Sequence, residues 1–232
     1  LVPVLSSPPM SQRVPAAPSS REKILDVAEA LFARSGYSGV GMREVAQHAG
    51  LGKSSLFHHF ASKPALYFEV VEHVLARVGQ HVAPALAREG TPTERLAAAS
   101  DALVDALAEH PTSARLLLRS LFEVHPFVAD APPPEAAAGD AILEAMIQAF
   151  QQLVRDGIAA GEFRDVSVPD ATQTLIGAAV FHFASGELGE AVIGGSLFSA
   201  EAVARRRDEQ RAFFLHALLL DATAASRSPD RA

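Results

Sequence analysis

The stretch Arg43–Lys63, REVAQHAGLGKSSLFHHFASK, carries two short apolar pairs on either side of a glycine. Val45 and Ala49 lie four apart, as do Leu56 and Phe60, so each pair falls on one face of a helix. Gly50 stands between them, where a chain leaving a helix sharply calls for a left-handed residue. Ala46 is small where two crossing helices would approach each other. The other positions of the second segment, Lys53, Ser54, Ser55, Phe57, His58 and His59, include one apolar side chain. The spacing predicts a helix-turn-helix whose second helix offers a polar face to base edges and phosphates. An ordinary αα-hairpin with a solvated face would carry the same periodicity, so the flanks decide.

On the N-terminal side, Ser19 and Glu22 have the spacing of a capping box. Ile24, Leu25, Ala28, Leu31 and Phe32 then recur at helical spacing, and Gly36 is expected as the stop. Three short helices therefore occupy about residues 20 to 60. A fourth is expected to begin at Ser62-Lys63-Pro64, with Ser62 as N-cap and proline in the first turn.

With these elements placed, ILDVAEALFARSGY, REVAQHAG and KSSLFHHFASKPAL resemble the DNA-binding domain of TetR-family transcriptional regulators, over Ser20 to Leu66. The resemblance implies contacts to duplex DNA from Gly41, Met42, Arg43, Lys53, Ser54, Ser55, Phe57, His58 and Lys63. Three departures from the family pattern bear on affinity. Val40 and Gly41 stand where a Ser or Thr hydroxyl is usual before the second helix. Phe57 stands where a Tyr commonly contacts phosphate, and the usual Ser-Lys-Gly-Thr entry reads Gly52-Lys53-Ser54-Ser55. None of them removes a core residue. The free amides at the start of the second helix still favour an anion.

The 232 residues are 49% hydrophobic, enough for a substantial core, and no apolar run reaches transmembrane length. Without cysteine, disulfides, thiol catalysis and cysteine-ligated metals are excluded. Residues 1 to 18 hold five prolines and one arginine, lack the apolar run of a secretory signal, and are expected to be a disordered tail. The formal net charge of −7 is unevenly spread. Residues 19 to 63 hold six basic and four acidic groups, whereas residues 64 to 232 hold 13 basic and 23 acidic. That split concentrates attraction for DNA at one end of an otherwise acidic molecule.

Beyond Ala65 the pattern is helical throughout, with no strand alternation and no internal repeat. Phe68, Val71, Leu75 and Val78 form a stripe expected to end near Pro84. A helix is expected from Thr93 to before Pro111, and another from Ser113 to His125 with Leu116, Leu117, Leu121 and Phe122 inward. Val128 to Glu135 is expected as a loop. Ile142, Ala145, Met146, Ala149, Phe150, Leu153 and Val154 mark a long helix closed by Gly157 or Gly161. A helix from Asp170 to about Gly186, a glycine-rich connection to Gly195 and a last helix from Ala200 to about Ala222 complete the chain. The expected division is a tail at 1–18, a DNA-binding domain at 19–63, an effector-binding and dimerisation domain at 64–225 and a tail at 226–232. The fold class is all-α.

The resemblance further implies that the last two long helices pair across a two-fold axis. Gly177, Ala178 and Ala179 would allow close approach, and Phe213, Phe214, Leu218 and Leu219 would supply apolar area; filling the monomer core is the equal alternative for each. A small-molecule effector, largely apolar, is expected against Phe122, Met146, Phe150, Phe181 and Phe183, oriented by Arg119, His125 or His182. Core packing accounts for the same residues. No metal site is expected, because no two histidines lie four apart and adjacent His58 and His59 cannot face one ion. No nucleophile motif, phosphate-cradling loop or acid–base constellation points to an enzyme, and no cofactor is implied. Glu187 and Glu190 read as solvated charge.

The expected protein is a cytoplasmic, homodimeric regulator, a repressor released from its operator by an effector. Two other classes fit the same residues: an effector-independent DNA-organising protein, and a helical small-molecule binder whose DNA head is degraded. Salt-dependent, sequence-selective DNA binding separates the last from the others.

Overall fold

The computed structural model describes residues 19–123 and 136–220. The loop expected at Val128 to Glu135, both tails and His125 lie outside the described residues. Among those described, ten α-helices form the molecule, and the nearest approach to a strand is one isolated bridge between Phe163 and Leu219.

Helix α1, Ser20–Gly39, opens with the capping box: the Ser19 hydroxyl accepts the Glu22 N–H at 3.2 Å, and the Glu22 carboxylate accepts the Ser19 N–H at 2.7 Å. Gly36 takes φ +71 and breaks the helix axis where the stop was expected, with one more turn following. Helices α2 (Met42–His48), α3 (Lys53–His59) and α4 (Lys63–Ala87) come next. Ser62 caps α4 by accepting the Ala65 N–H at 3.2 Å. This helix continues past Pro84 to Ala87, because a proline in the final turn removes only one backbone donor.

The body consists of α5 (Pro92–Glu109), α6 (Ser113–Phe122), α7 (Ala136–Ala159), α8 (Val168–Ala184), α9 (Glu187–Ile193) and α10 (Ala200–Leu218). Thr91 caps α5, so this helix starts one position before the expected Thr93. The glycine-rich connection holds the short α9, bracketed by Gly186 and Gly194, and Glu187 and Glu190 are exposed on it. Helix α10 ends at Leu218 because the chain then pairs with the segment after α7: Arg164 donates to the Leu218 carbonyl at 2.9 Å and Leu220 to the Glu162 carbonyl at 3.1 Å.

Two apolar cores share one helix. The first half of α4 (Leu66, Tyr67, Val70, Val74) closes the head core formed by α1 to α3, while Val78, Val82 and Leu86 enter the body core. A boundary between 63 and 64 therefore separates sequence segments but not packing. Leu116 of α6 also reaches the head core. Leu121 and Phe122, expected inward, are exposed instead. Helix α6 stops at Phe122, and Glu123 turns away from the helical path toward α1.

A buried polar node also ties head to body. Glu29 of α1 pairs with Arg77 of α4 at 2.8 Å and accepts the hydroxyls of Thr112 and Ser113 at 2.7 and 3.0 Å. The Arg77 guanidinium donates in turn to Ser113 at 2.8 Å. Burying this charge is tolerable because its oxygens are occupied.

Candidate nucleic-acid interface and effector cavity

The turn between α2 and α3 is built as the spacing requires. Gly50 has φ +69, and its neighbour Leu51 donates back to the Ala46 carbonyl at 2.9 Å. This left-handed exit satisfies the carbonyls that end α2 and sends the chain into α3. Leu56 and Phe60 are buried in the head, while Lys53, Ser54, Phe57 and His58 point outward and Ser55 is half-buried. Phe57 is 40% exposed, an apolar ring left at the surface, with the Lys53 ammonium 5.6 Å from its centre. None of these outward side chains is needed to complete the head core.

Gly41 caps α2 without a hydroxyl; only the reciprocal half of a capping box is present, its N–H reaching the Glu44 carboxylate at 3.5 Å. Arg43 is exposed and Met42 packs partly against the head core. Lys63 does not take the outward path expected of a phosphate contact. Its ammonium lies 4.3 Å from the centre of the Tyr37 ring, and burial lowers its pKa, partly offset by the Glu123 carboxylate. Cation–π attraction and a nearby carboxylate hold it in the junction between head and body.

That junction was not visible in the sequence. The Glu123 carboxylate accepts the Tyr37 backbone N–H at 3.0 Å and the Tyr67 hydroxyl at 3.0 Å, and Arg119 lies 3.4 Å from it. Phe32 and Tyr37 each pack edge-on against the Tyr67 ring, with centroids at 5.0 and 5.1 Å from it. Burial, with Glu123 adding to it, raises the Tyr67 phenol far above its ordinary value.

An apolar cavity of about 210 Å³ lies among α4, α6, α7 and α8, with Leu103 and Leu107 of α5 also lining it. Of the residues expected at an effector site, Met146 and Phe150 line it. The stripe Phe68, Val71, Leu75 and Val78, read from the sequence as one apolar face of a helix, forms its α4 wall. The other expected residues lie elsewhere. Phe122 is 76% exposed because α6 ends there, and Arg119 is turned to Glu123. Phe183 is packed into the body core at 1% exposure. Phe181 and His182 border a separate, more open groove of about 560 Å³ between α8, α9 and α10. Helical rotation explains the split, since residues 181 and 183 cannot share a face with each other. In that groove burial, reinforced by Arg206 and Arg205, pushes the His182 pKa down to about 4.

Among the described residues no cluster of three potential metal ligands occurs. Among the described residues no single helix is long and apolar enough to cross a membrane; α8 and α9 pass that test only together, and they are bent by 97°.

An all-helical chain with a helix-turn-helix head and a cavity-bearing helical body defines a class of regulatory proteins, and comparison supplies the family. Residues 24–70 match the model described as bacterial regulatory proteins, tetR family, and residues 92–211 match the tetracyclin repressor-like C-terminal domain. The chain belongs to the TetR family of bacterial regulatory proteins. It is similar to the HTH-type transcriptional activator FasR of Mycolicibacterium smegmatis, 32% identical over 109 residues, 47% of this chain and 50% of that protein. It is likewise similar to the HTH-type transcriptional repressor KstR2 of Mycobacterium tuberculosis, 32% identical over 92 residues, 40% of this chain and 46% of that one. The chain thus spans half or less of these relatives' length. The structure of KstR2 superposes with a TM-score of 0.71 at 21% identity, covering 88% of this chain and 97% of that one. The structure of AibR in complex with isovaleryl coenzyme A and operator DNA superposes at 0.67 and 17% identity, covering 84% and 97%. At these identities the superpositions speak for the fold.

Proposed function

We propose that this chain is a homodimeric transcriptional regulator, a repressor that binds a two-fold operator through α3 and is released by a small apolar effector held in the α4–α6–α7–α8 cavity. The outward face of α3 carries this reading. Lys53, Ser54, Phe57 and His58 project from a head whose core is complete without them, on the second helix of a helix-turn-helix. The basic excess of residues 19 to 63 against an acidic body gives that edge its attraction for phosphate. Such a protein acts beside the chromosome, in the bacterial cytoplasm, and performs no catalysis.

A single head reads too short a site, so a two-fold pair is required. The surface that supports pairing is an outward stripe of Gly177 and Phe181 on α8, Leu188 and Val192 on α9, and Phe213 on α10. Nothing lies within 4 Å of the place a side chain at Gly177 would take, which leaves room for a neighbouring helix. The buried halves of the two expected dimer helices, Ala179, Phe214 and Leu218, fill the monomer core instead.

Effector control follows from a shared residue. Tyr67 gives its ring to the cavity wall and its hydroxyl to Glu123, which holds the Tyr37 amide at the end of α1. A ligand that prefers another placement of Tyr67 or α6 would shift the population toward head positions unfit for the operator, by its differential affinity alone. Selection of random duplexes by the purified protein, followed by a salt titration, tests the reading. A shared two-fold sequence bound with a steep salt dependence is expected; failure to enrich any sequence would overturn it.

A further inference from the structure

We infer that Phe57 reads the methyl group of a thymine in each half-site, which makes it a specificity-determining residue of α3; the inference rests on the operator-binding reading above.

Placement comes first. Leu56 is buried in the head, and each step along an α-helix turns the next side chain by roughly 100°. Phe57 therefore stands beside the outermost strip, which holds Ser54 and His58, rather than at its centre. It belongs neither to the head core nor to the apolar residues packed against that core, and it is 40% exposed. Lys53, one turn earlier, shares its strip, and the ammonium 5.6 Å from the ring centre holds the two side by side. With Ser54 and His58 turned to the groove floor, this strip faces one wall, where base edges give way to phosphate. Lys53 suits the phosphate; Phe57 has no donor to offer it.

Chemistry then names the target. On the major-groove edge adenine, guanine and cytosine are recognised by their nitrogen and oxygen groups, and thymine alone adds a methyl. A phenyl ring laid on nitrogen and oxygen displaces their water and returns no hydrogen bond. Laid on the methyl, it removes apolar surface from water on both partners. The methyl sits on the backbone side of the thymine edge, toward the wall that Phe57 faces. The basic excess of residues 19 to 63 draws the phosphates of that wall close.

The test takes the duplex selected by the full chain and replaces its thymines by deoxyuridine, one position at a time in both half-sites. The exchange removes a methyl and leaves every hydrogen-bonding group in place. Affinity is read by anisotropy at fixed salt. At one position the loss is expected to be about fourfold for each methyl, the worth of one buried carbon. Phe57→Ala should bind the thymine and deoxyuridine duplexes equally and keep the parent's salt slope. Its melting temperature should stay near the parent's, since the ring lies outside the head core. A selected site without thymine, a site whose every thymine tolerates the exchange, or a loss that persists in Phe57→Ala would each overturn the inference. So would a Phe57→Ala that weakens selected and random duplexes alike, which would put the ring on the sugar-phosphate backbone. Those outcomes leave the operator-binding reading standing, whereas a chain that enriches no sequence sinks that reading and this inference with it.

Discussion

Glu123 and Tyr37 lie 86 residues apart, and the Glu123 carboxylate accepts the Tyr37 backbone N–H at 3.0 Å. Gly36, at φ +71, breaks α1 just before that amide, and the carboxylate beyond the end of α6 accepts its N–H. A side chain at Gly36 would run into Arg119 and Glu123, so kink and clasp depend on the same glycine. Removing the carboxylate with Glu123→Ala deletes its hydrogen bonds to Tyr37 N–H and Tyr67 OH, an expected loss of about 1–3 kcal/mol. Chemical denaturation measures it, and a variant as stable as the parent would deny the clasp any weight.

Glu29 and Arg77 form the buried counterpart. Losing one partner strands a charge in the interior, so Glu29→Leu or Arg77→Met is expected to cost about 3–5 kcal/mol. Replacing both together should cost much less than the sum. A double-mutant cycle decides it, and strict additivity would mean the pair is not coupled.

Gly157 of α7 packs against the ring of Phe163, where an added methyl would overlap the aromatic carbons. Gly157→Ala is expected to destabilise by about 1–3 kcal/mol, the usual cost of overpacking. Phe163→Leu in the same chain should restore part of the loss by making room. Thermal melts of the parent and the two variants would expose an error if the alanine were neutral.

On α3, His58 and Ser54 are expected to read bases, and Lys53 to contact phosphate. His58→Ala should weaken binding to the selected duplex by about 1–3 kcal/mol and leave random duplex nearly unaffected. Lys53→Ala should weaken both alike and flatten the salt slope. An unchanged ratio of selected to random affinity in His58→Ala would mean that another face of the head meets the DNA.

His182 is expected to make the protein acid-sensitive over a defined window. Its pKa falls from 6.5 to about 4 on folding, chiefly through burial with Arg206 adding to it. Above 6.5 both states are neutral and the group contributes nothing to the pH dependence. As the pH drops from 6.5 toward 4, the unfolded chain takes a proton the folded one refuses, so stability declines. His182→Gln should flatten that decline in denaturation curves at stepped pH, and an unaltered slope would count against the burial of this ring.

The sequence by itself determined what depends on near neighbours. The capping box at Ser19 and Glu22, the Ser62 cap, the Gly50 turn and the division of α3 into a buried pair and an outward face all involve residues within one or two helical turns. Local geometry leaves such groups few alternatives. Only the tertiary structure decided which helical faces meet. Periodicity marks an apolar face without saying whether it packs densely or leaves a space, so nothing in the α4 stripe shows that it walls a cavity. Nor can it bring Glu123 to Tyr37, seat Lys63 on the Tyr37 ring, or set Phe181 and Phe183 in different surroundings. Those outcomes turn on contacts between segments far apart in the chain, where the gain comes from packing and desolvation jointly and no single segment carries the information.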